Sequence, residues 1–307
     1  MTDTPHRPFP IPVVAATAEA TTPAEARPLE GIQDVVLVAS GKGGVGKSTL
    51  TVNLACELAH RGQRVGVLDA DVYGPSVQRM LGTADEALYT PEGRMRPFEA
   101  HGLYSLSVGN VLPVESALAW KGPLVSQVLV QMVREVHWPA LDLLLVDLPP
   151  GTGDVPLTLL EEIPVTGALV VTTPQSLALA DADRGISLFH EYDVPVLGLV
   201  ENMAGFVCPC CGEVQALFPG GGAEGLARRR HVRLLGAVPL APAAQECADA
   251  GRPLVLEADA AAPFAAAMAR VTDELQAGLA REQAARTRAA DPAAQADSRA
   301  FWERLLD

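Results

Sequence analysis

The pattern with the clearest chemistry is a glycine-rich loop that reads SGKGGVGKST over residues 40–49. It follows a continuous apolar run, precedes a helical stretch and fits the spacing G-x-x-x-x-G-K-[ST]. The glycines let successive backbone N–H groups point inward at phosphate oxygens, and the N-terminus of the following helix strengthens the attraction. The alternative is a glycine-rich turn that binds nothing. We expect a nucleotide site formed by Gly41, Lys42, Gly43, Gly44, Val45, Gly46, Lys47, Ser48 and Thr49.

Lysine is scarce in this chain, which has three lysines against twenty arginines. Two of the three, Lys42 and Lys47, fall inside the loop. We expect Lys47 to neutralise the β- and γ-phosphates of ATP, Ser48 to ligate Mg²⁺ and Thr49 to hydrogen-bond a nearer phosphate. The general motif does not require Lys42, which is either a second functional cation or an incidental exposed lysine.

Acidic residues follow two further apolar runs, in LDADVYGPS (68–76) and LLLVDLPPGTGD (143–154). In a doubly wound sheet the carboxyl ends of the strands face the same crevice as the phosphates. We expect Asp147 to hold Mg²⁺ through water and Asp71 to orient or activate the attacking water. Asp69 fits a site residue and a capping residue equally well. Asn202, after a later apolar run, is a candidate for hydrogen bonds to the edge of adenine.

Cys208 and Cys211 form a C-x-x-C pair within VENMAGFVCPCCGE (200–213). This spacing directs two sulfurs at one point, as metal and cluster sites need. Tetrahedral zinc and a cubane cluster take four ligands, and two chains with two thiolates each would complete the set. An iron–sulfur cluster, a structural zinc shared between subunits, a redox disulfide and a buried turn all stay open on motif chemistry. Cys210, between the pair, cannot easily share their direction.

Short apolar runs alternate with helical stretches along most of the chain, which favours strands buried on both faces. The expected fold is therefore an α/β, doubly wound, mainly parallel sheet with helices on both faces, of the P-loop type. Residues 93–108 are expected to form an antiparallel hairpin at one edge. The runs predicted as strands are 34–40, 64–70, 141–149, 166–174, 194–203 and 232–240.

Composition divides the chain into three parts. Residues 1–33 are rich in Pro, Ala, Thr and Glu without a helical or strand period, and we expect a disordered tail. Residues 34–275 are expected to form the nucleotide-binding and cysteine-bearing domain. Residues 276–307 are Ala-rich with mixed charges and are expected to form a helical, partly mobile extension.

The formal net charge of −14, from 37 acidic and 23 basic residues, argues against nucleic acid and membrane surfaces as partners. The first residues carry no apolar run of signal-peptide length. Five cysteines, three of them crowded together, do not form the framework of a secreted disulfide protein. These features predict a cytoplasmic protein.

Taken together, ASGKGGVGKST, LDADVYGPSVQRMLG, WKGPLVSQVL, LLLVDLPPGTGD, VENMAGFVCPCCGE and LGAVPLAP resemble the Mrp/ApbC family of iron–sulfur cluster carrier ATPases. The resemblance runs from about residue 34 to 256, with the motifs in family order. Two positions depart from it: Cys210 stands where the family commonly has His, Lys or Asn, and Ala-Pro-Ala-Ala follows VPL.

The resemblance implies a homodimer in which Lys42 reaches across to the neighbour's nucleotide. It also implies slow ATP hydrolysis and a [4Fe–4S] cluster bridged by Cys208 and Cys211 of both chains. The cluster would come from an upstream scaffold and be handed to apo iron–sulfur proteins.

Two rival classes share parts of this pattern. A spatial-positioning ATPase of the partition or division-site type has the same loop, and its cysteines would then hold a structural zinc or form a redox pair. That class should show a basic patch or a basic amphipathic anchor, and neither is evident in the sequence. An electron donor of the nitrogenase-reductase kind would carry its ligand cysteines singly along the chain.

Overall fold

The computed structural model describes residues 29–85, 87–111, 122–208, 210–211, 213–218, 222–257 and 262–290. Most of the expected N-terminal tail, up to residue 28, lies outside these ranges, as does the end of the expected C-terminal extension from residue 291.

The strands are β1 (Ile32–Ser40), β2 (Val65–Asp69), β3 (Leu88–Tyr89), β4 (Met95–Arg96), β5 (Phe98–Ala100), β6 (Leu103–Ser107), β7 (Leu141–Asp147), β8 (Gly167–Thr172), β9 (Val196–Val207), β10 (Val214–Gln215) and β11 (Leu234–Leu240). The helices are α1 (Lys47–His60), α2 (Val77–Met80), α3 (Val108–Val111), α4 (Gly122–Arg134), α5 (Asp154–Glu162), α6 (Ser176–Glu191), α7 (Gly222–Arg230), α8 (Ala243–Asp249) and α9 (Ala262–Ala290). A 3₁₀ turn spans Leu254–Leu256.

Nine of the described strands form one sheet in the order β10-β9-β8-β1-β7-β2-β6-β5, with β11 paired to β9. The inner pairs are all parallel, and antiparallel pairing occurs at β5–β6 and β9–β10. The six predicted apolar runs are β1, β2, β7, β8, β9 and β11, which confirms the predicted fold class. The predicted edge hairpin is β5–β6, although β6 also extends the parallel sheet by pairing with β2.

The direction of strand addition reverses at β1, which lies between β7 and β8. Strands β7, β2 and β6 follow on one side, and β8, β9 and β11 on the other. In open parallel sheets this reversal opens a crevice at the carboxyl ends of the strands, where ligands bind. The glycine loop leaves β1 at this point.

Helices cover both faces of the sheet because successive strand side chains point to opposite faces. On β1, Val35 and Leu37 belong to one buried cluster, while Val36 and Val38 belong to the other. The first cluster includes side chains of α4 and α6, and the second includes side chains of α1 and α9. In the described ranges, no helix is long and apolar enough to cross a bilayer.

The long helix α9 continues past residue 275, the expected domain boundary, and docks on the amino edge of the sheet. Its Gln283 donates a hydrogen bond to Asp34 at 2.5 Å. Thr166 connects the same carboxylate to the backbone, because its hydroxyl donates to Asp34 at 3.0 Å and accepts from the N–H of Val35 at 3.1 Å. Arg286 adds a hydrogen bond to the carbonyl of Thr166 at 3.1 Å.

Thr166→Val should destabilise the fold without weakening nucleotide binding. The substitution keeps the shape but leaves the buried Asp34 carboxylate and the Val35 N–H each short of a partner, which costs about 1–3 kcal/mol. The matched control is Thr287→Val, which removes an exposed hydroxyl that bonds only to its own helix. Urea unfolding measures the difference, and equal midpoints for the two variants would contradict the role given to Thr166.

Candidate functional site

The loop after β1 turns sharply, and two of its glycines are required by backbone geometry. Gly44 and Gly46 both have φ of +80°, in the left-handed region that favours glycine. Position 41 has no room for a larger residue than glycine, because a Cβ there would lie 2.2 Å from the backbone carbonyl carbon of Asp181. Helix α1 begins at Lys47, directly after the loop, so its first N–H groups face the same space.

The loop forms the floor of a cleft of about 240 Å³ at the carboxyl edge of the sheet. The cleft gathers residues that the sequence predicted to act together: Lys42, Lys47, Ser48 and Thr49 from the loop and helix, and Asp71 from the segment after β2. Gly74, Ser76 and Pro150 also line it, and the sequence analysis did not single them out.

Lys47 and Asp147 form a buried ion pair beneath the cleft. The ammonium of Lys47 lies 2.8 Å from the carboxylate of Asp147 and 3.9 Å from that of Asp71. Lys47 is 5% exposed and Asp147 is 0% exposed. Asp147 also accepts hydrogen bonds from the hydroxyls of Ser48 at 2.5 Å and Thr51 at 2.8 Å. Thr51 was missed by the sequence analysis, although its position one turn after Lys47 on α1 is a signal that could have found it.

Asp69 is a structural anchor in this arrangement. Its carboxylate accepts four hydrogen bonds, from the N–H groups of Asp71, Ser76 and Val77 and from the hydroxyl of Ser107. It therefore joins the end of β2 to the start of α2 and the end of β6. Burial and the nearby charge of Asp147 raise the pKa of Asp69 to about 7.

Asp71 stands at the wall of the cleft, where the next segment of chain turns. Burial raises the pKa of Asp71, and the neighbouring Lys47 ammonium opposes that rise. Its carboxylate accepts a hydrogen bond from the N–H of Tyr73 at 3.3 Å, so the side chain is held beside the loop. A carboxylate with a raised pKa at the wall of a phosphate-binding cleft suits proton transfer to or from water.

The oxygen donors at the floor of the cleft fit Mg²⁺. The hydroxyl of Ser48 and the carboxylate of Asp147 are hard ligands beside the ammonium of Lys47. Magnesium prefers such oxygens and keeps several of its waters, so one or two carboxylates suffice.

Lys42 lies at the rim of the cleft. Its ammonium donates a hydrogen bond to the side-chain carbonyl of Gln175 at 3.0 Å, just before α6. This contact lies at the surface, within the same chain. The expected reach of Lys42 into a second chain stays a prediction.

Asn202 contacts the loop. Its amide donates a hydrogen bond to the carbonyl of Val45 at 2.8 Å, and the residue is 7% exposed. The predicted contact with adenine stays a prediction. The contact with the loop was missed by the sequence analysis, because the two residues are 157 positions apart and no local pattern joins them.

The cysteines lie at the tip of a hairpin that extends β9. Residues Phe206 and Val207 of β9 pair with Gln215 and Val214 of β10, and the N–H of Cys208 bonds to the carbonyl of Glu213 at 2.9 Å. We call residues 206–215 the cysteine hairpin. Cys208 is half-buried there, whereas Cys210 and Cys211 are exposed.

The hairpin favours a thiolate at Cys208. Hydrogen bonds from the N–H groups of Cys211 and Cys210, and from the thiol of Cys211, lower the pKa of Cys208. In contrast, burial raises the pKa of the Cys56 thiol to about 12, and Cys247 is also buried. In the described part of the chain, no group of three or more His, Cys, Asp or Glu side chains is arranged to hold a metal ion.

The reversed strand order, the glycine loop at β1 and the buried lysine–aspartate pair define a protein of the P-loop NTPase class. Residues 31–276 match the model of a ParA-type family described as the NUBPL iron-transfer P-loop NTPases. The chain therefore belongs to this family, and the predicted resemblance to iron–sulfur cluster carriers is confirmed.

Relatives of known name support the same assignment. An iron–sulfur cluster carrier protein of Salmonella typhimurium is 50% identical over 229 residues, which are 74% of this chain and 62% of the relative. A Deinococcus radiodurans protein of the same name is 50% identical over 243 residues, 79% of this chain and 68% of the relative. The mouse iron–sulfur cluster transfer protein NUBPL is 44% identical over 231 residues, 75% of this chain and 72% of the relative. The chain thus spans less than two thirds of the length of the Salmonella relative.

Two solved structures share the fold. A nucleotide-binding protein of Archaeoglobus fulgidus in complex with ADP is 38% identical, with a TM-score of 0.64 over 72% of this chain and 88% of that one. The cell division ATPase MinD of Pyrococcus furiosus is 24% identical, with a TM-score of 0.60 over 79% of this chain and 98% of that one. The second likeness shows the fold alone.

Cys208 should react as a thiolate at lower pH than a free thiol. In metal-free, reduced protein, its alkylation rate should rise with a midpoint below about 8.5, the ordinary pKa of a free cysteine, because hairpin N–H groups stabilise the charge. Mass spectrometry of iodoacetamide-treated protein measures each site separately. Cys56 is the internal control and should stay unreactive over the same range, and a Cys208 midpoint at or above that of a free cysteine would contradict the proposed stabilisation.

Proposed function

We propose that this chain binds ATP with Mg²⁺ and hydrolyses it slowly. We also propose that two copies of the chain hold one [4Fe–4S] cluster with Cys208 and Cys211 of each copy and pass it to apo iron–sulfur proteins. The observation that carries the proposal is the placement of a paired-thiol hairpin on β9, the strand that also contacts the nucleotide loop. The family and the names of the relatives support the cargo, and the cleft supports the nucleotide.

In the nucleotide half of the proposal, Lys47 neutralises the β- and γ-phosphates and Ser48 and Asp147 hold Mg²⁺. When bound, Mg²⁺ would offset charge on the phosphate oxygens and align them for displacement. The backbone N–H groups from Gly43 to Lys47 hold the phosphates, and Thr49 bonds to a nearer one.

Asp71 orients the attacking water and accepts its proton, a role that its raised pKa favours. We further propose that Lys42 leaves Gln175 to contact the nucleotide of the second copy. The buried ion pair keeps Lys47 and Asp147 in place in each copy, so the pairing of copies has only to bring Lys42 into position.

In the cargo half of the proposal, each chain gives two thiolates and a cubane cluster takes four ligands. Two copies of the hairpin therefore complete one site. In the transfer step, thiolates of the acceptor replace those of Cys208 and Cys211 on iron, so iron–sulfur bonds are exchanged and no oxidation state changes. Exposure of Cys211 at the tip of the hairpin suits such an exchange.

The source of the cluster and the compartment of the protein follow from this exchange of ligands. An upstream scaffold supplies the cluster by the same ligand replacement, and a reducing cytoplasm keeps the thiols free. The strongly acidic charge of the chain makes nucleic acid and anionic membranes unsuitable partners.

Removing one thiol should separate the cargo from the nucleotide. Cys211→Ala leaves a single thiolate per chain in the predicted pair, so reconstituted iron and sulfide should be lost while ADP affinity stays unchanged. Cys210→Ala is the matched control, an exposed neighbour on the same hairpin that should load normally. Anaerobic reconstitution with iron and sulfide assays measures loading. Normal loading of Cys211→Ala would contradict the cluster proposal. So would zinc in place of the cluster in both the Cys211→Ala and the Cys210→Ala protein.

Asp71→Asn should slow ATP hydrolysis and leave cluster loading intact, the reverse of the loss of cargo expected for Cys211→Ala. The amide cannot accept the proton of the attacking water, so the ATP hydrolysis rate should fall about 100-fold, the lower end of general-base contributions. ADP affinity and cluster loading should remain. Steady-state phosphate release measures the rate, and a loss of less than a few fold would remove Asp71 from the proposed mechanism.

A further inference from the structure

We propose that Asn202 couples phosphate binding in the glycine loop to the position of the cysteine hairpin. This inference deepens the proposed function and rests on it for its purpose, because coupling between the nucleotide and the thiols has a use only in a nucleotide-driven carrier. The contacts that support it form one continuous path through described residues, from Gly46 through β9 to Cys208.

The path begins at a single peptide unit of the loop. The carbonyl of Val45 accepts the hydrogen bond from Asn202 at 2.8 Å. In a planar trans peptide the carbonyl oxygen and the N–H point in opposite directions. The N–H of Gly46 is therefore directed away from Asn202, and Val45 and Gly46 both line the cleft in which a phosphate would bind. A phosphate that accepts from this N–H fixes the peptide plane, and Asn202 contacts the other end of the same plane.

Contacts around Gly46 leave little room for independent movement. A Cβ at Gly46 would lie 2.2 Å from the amide nitrogen of Asn202 and 3.9 Å from the terminal methyl of Met203. Two successive residues of β9 thus pack against the glycine whose backbone turns the loop. Rotation of the loop peptide must displace these side chains, since packed atoms cannot overlap.

The path then reaches a change in the pairing of β9. Up to Glu201 the strand is paired on both sides, with Thr172 of β8 and Ala237 of β11. Beyond Asn202 the register with β11 shifts, because Val238 pairs with Asn202 while Leu240 pairs with Phe206. An advance of two residues along β11 therefore corresponds to an advance of four residues along β9. Such a bulge bends a strand and releases part of its ladder.

Met203 marks the bulge, with φ of +55° in the left-handed region. This backbone conformation is costly for a residue with a side chain and persists only where the surroundings enforce it. Met203 follows Asn202 directly and precedes the hairpin. It is the hinge between the part of β9 that pairs with β8 and the cysteine hairpin, where Phe206 pairs with Leu240 in the shifted register.

Amide hydrogen exchange on the metal-free, reduced full chain tests the coupling, with MgADP as the ligand. Exchange in residues 43–49 reports occupancy of the loop, and exchange in residues 206–215 reports the hairpin. In the unsubstituted protein, saturating MgADP should slow exchange in both segments, in the hairpin by about fivefold, the lower end of common coupling between sites. Asn202→Ala at saturating MgADP should keep the loop effect and lose the hairpin effect.

Asn53→Ala is the matched control, because Asn53 is also a buried asparagine whose amide bonds to a backbone carbonyl, that of Thr49 at 2.8 Å. Its side-chain oxygen accepts from the N–H of Val255, so neither hydrogen-bond partner belongs to β9. Asn53→Ala should keep both effects. If Asn202→Ala no longer binds MgADP, Met203→Gly decides, because glycine adopts the hinge conformation freely and should reduce the hairpin effect with the loop effect intact.

Hairpin slowing that survives in Asn202→Ala, or in Met203→Gly where that variant decides, would overturn the inference. So would an unsubstituted protein in which MgADP protects the loop alone. No cluster is present in this experiment, so its outcome is separate from the proposed cargo: hairpin coupling in a protein that never loads iron would leave the inference standing and remove its use in cluster transfer.

Discussion

Two buried carboxylates, Asp69 and Asp147, stand opposite each other at the ends of β2 and β7, and the site depends on how their charges are balanced. Both residues are 0% exposed, so water cannot screen them. Asp147 is balanced by the ammonium of Lys47 and two hydroxyls, and Asp69 by four hydrogen-bond donors. The parallel register brings the carboxylates together, and the loop and the start of α2 must then close over them.

This balance holds the floor of the nucleotide cleft in place. Lys47, Asp147 and the end of β1 form a buried and fully bonded floor. The cysteine hairpin follows the bulge at Met203, beyond which Phe206 pairs with Leu240 of β11 in a shifted register. Asn202 lies between the loop and the hairpin, because its amide contacts the loop at Val45 while its backbone belongs to β9, the strand that continues to Val207.

Much of the fold was predictable because buried parallel strands leave unbroken apolar runs in the sequence, and each of the six predicted runs is a strand. The glycine loop was predictable for a related reason: its chemistry is local and its residues are consecutive. The path of α9 was not predictable in this way. Its Ala-rich second half gives a weak periodic signal, and the docking of Gln283 on Asp34 joins residues 249 positions apart.

The roles inside the site were harder to predict than their location. Sequence placed Asp69 and Asp71 at the right edge of the sheet and assigned the attacking water to Asp71, but it left Asp69 open between a site residue and a capping residue. Hydrogen-bond partners separate them: Asp69 faces backbone N–H groups and Ser107, while Asp71 faces the cleft. The contact of Asn202 with Val45 depends on three-dimensional proximity, which no single-sequence pattern encodes.

The central claim is that one cluster is shared by two chains, each contributing two thiolates. Native mass spectrometry of anaerobically reconstituted protein tests it most directly, because it gives the mass of the assembly and of its inorganic content together. We expect a pair of chains that retains one [4Fe–4S] unit, with single chains free of iron. A single chain that holds a whole cluster, or a paired species that never carries iron and sulfide, would contradict it.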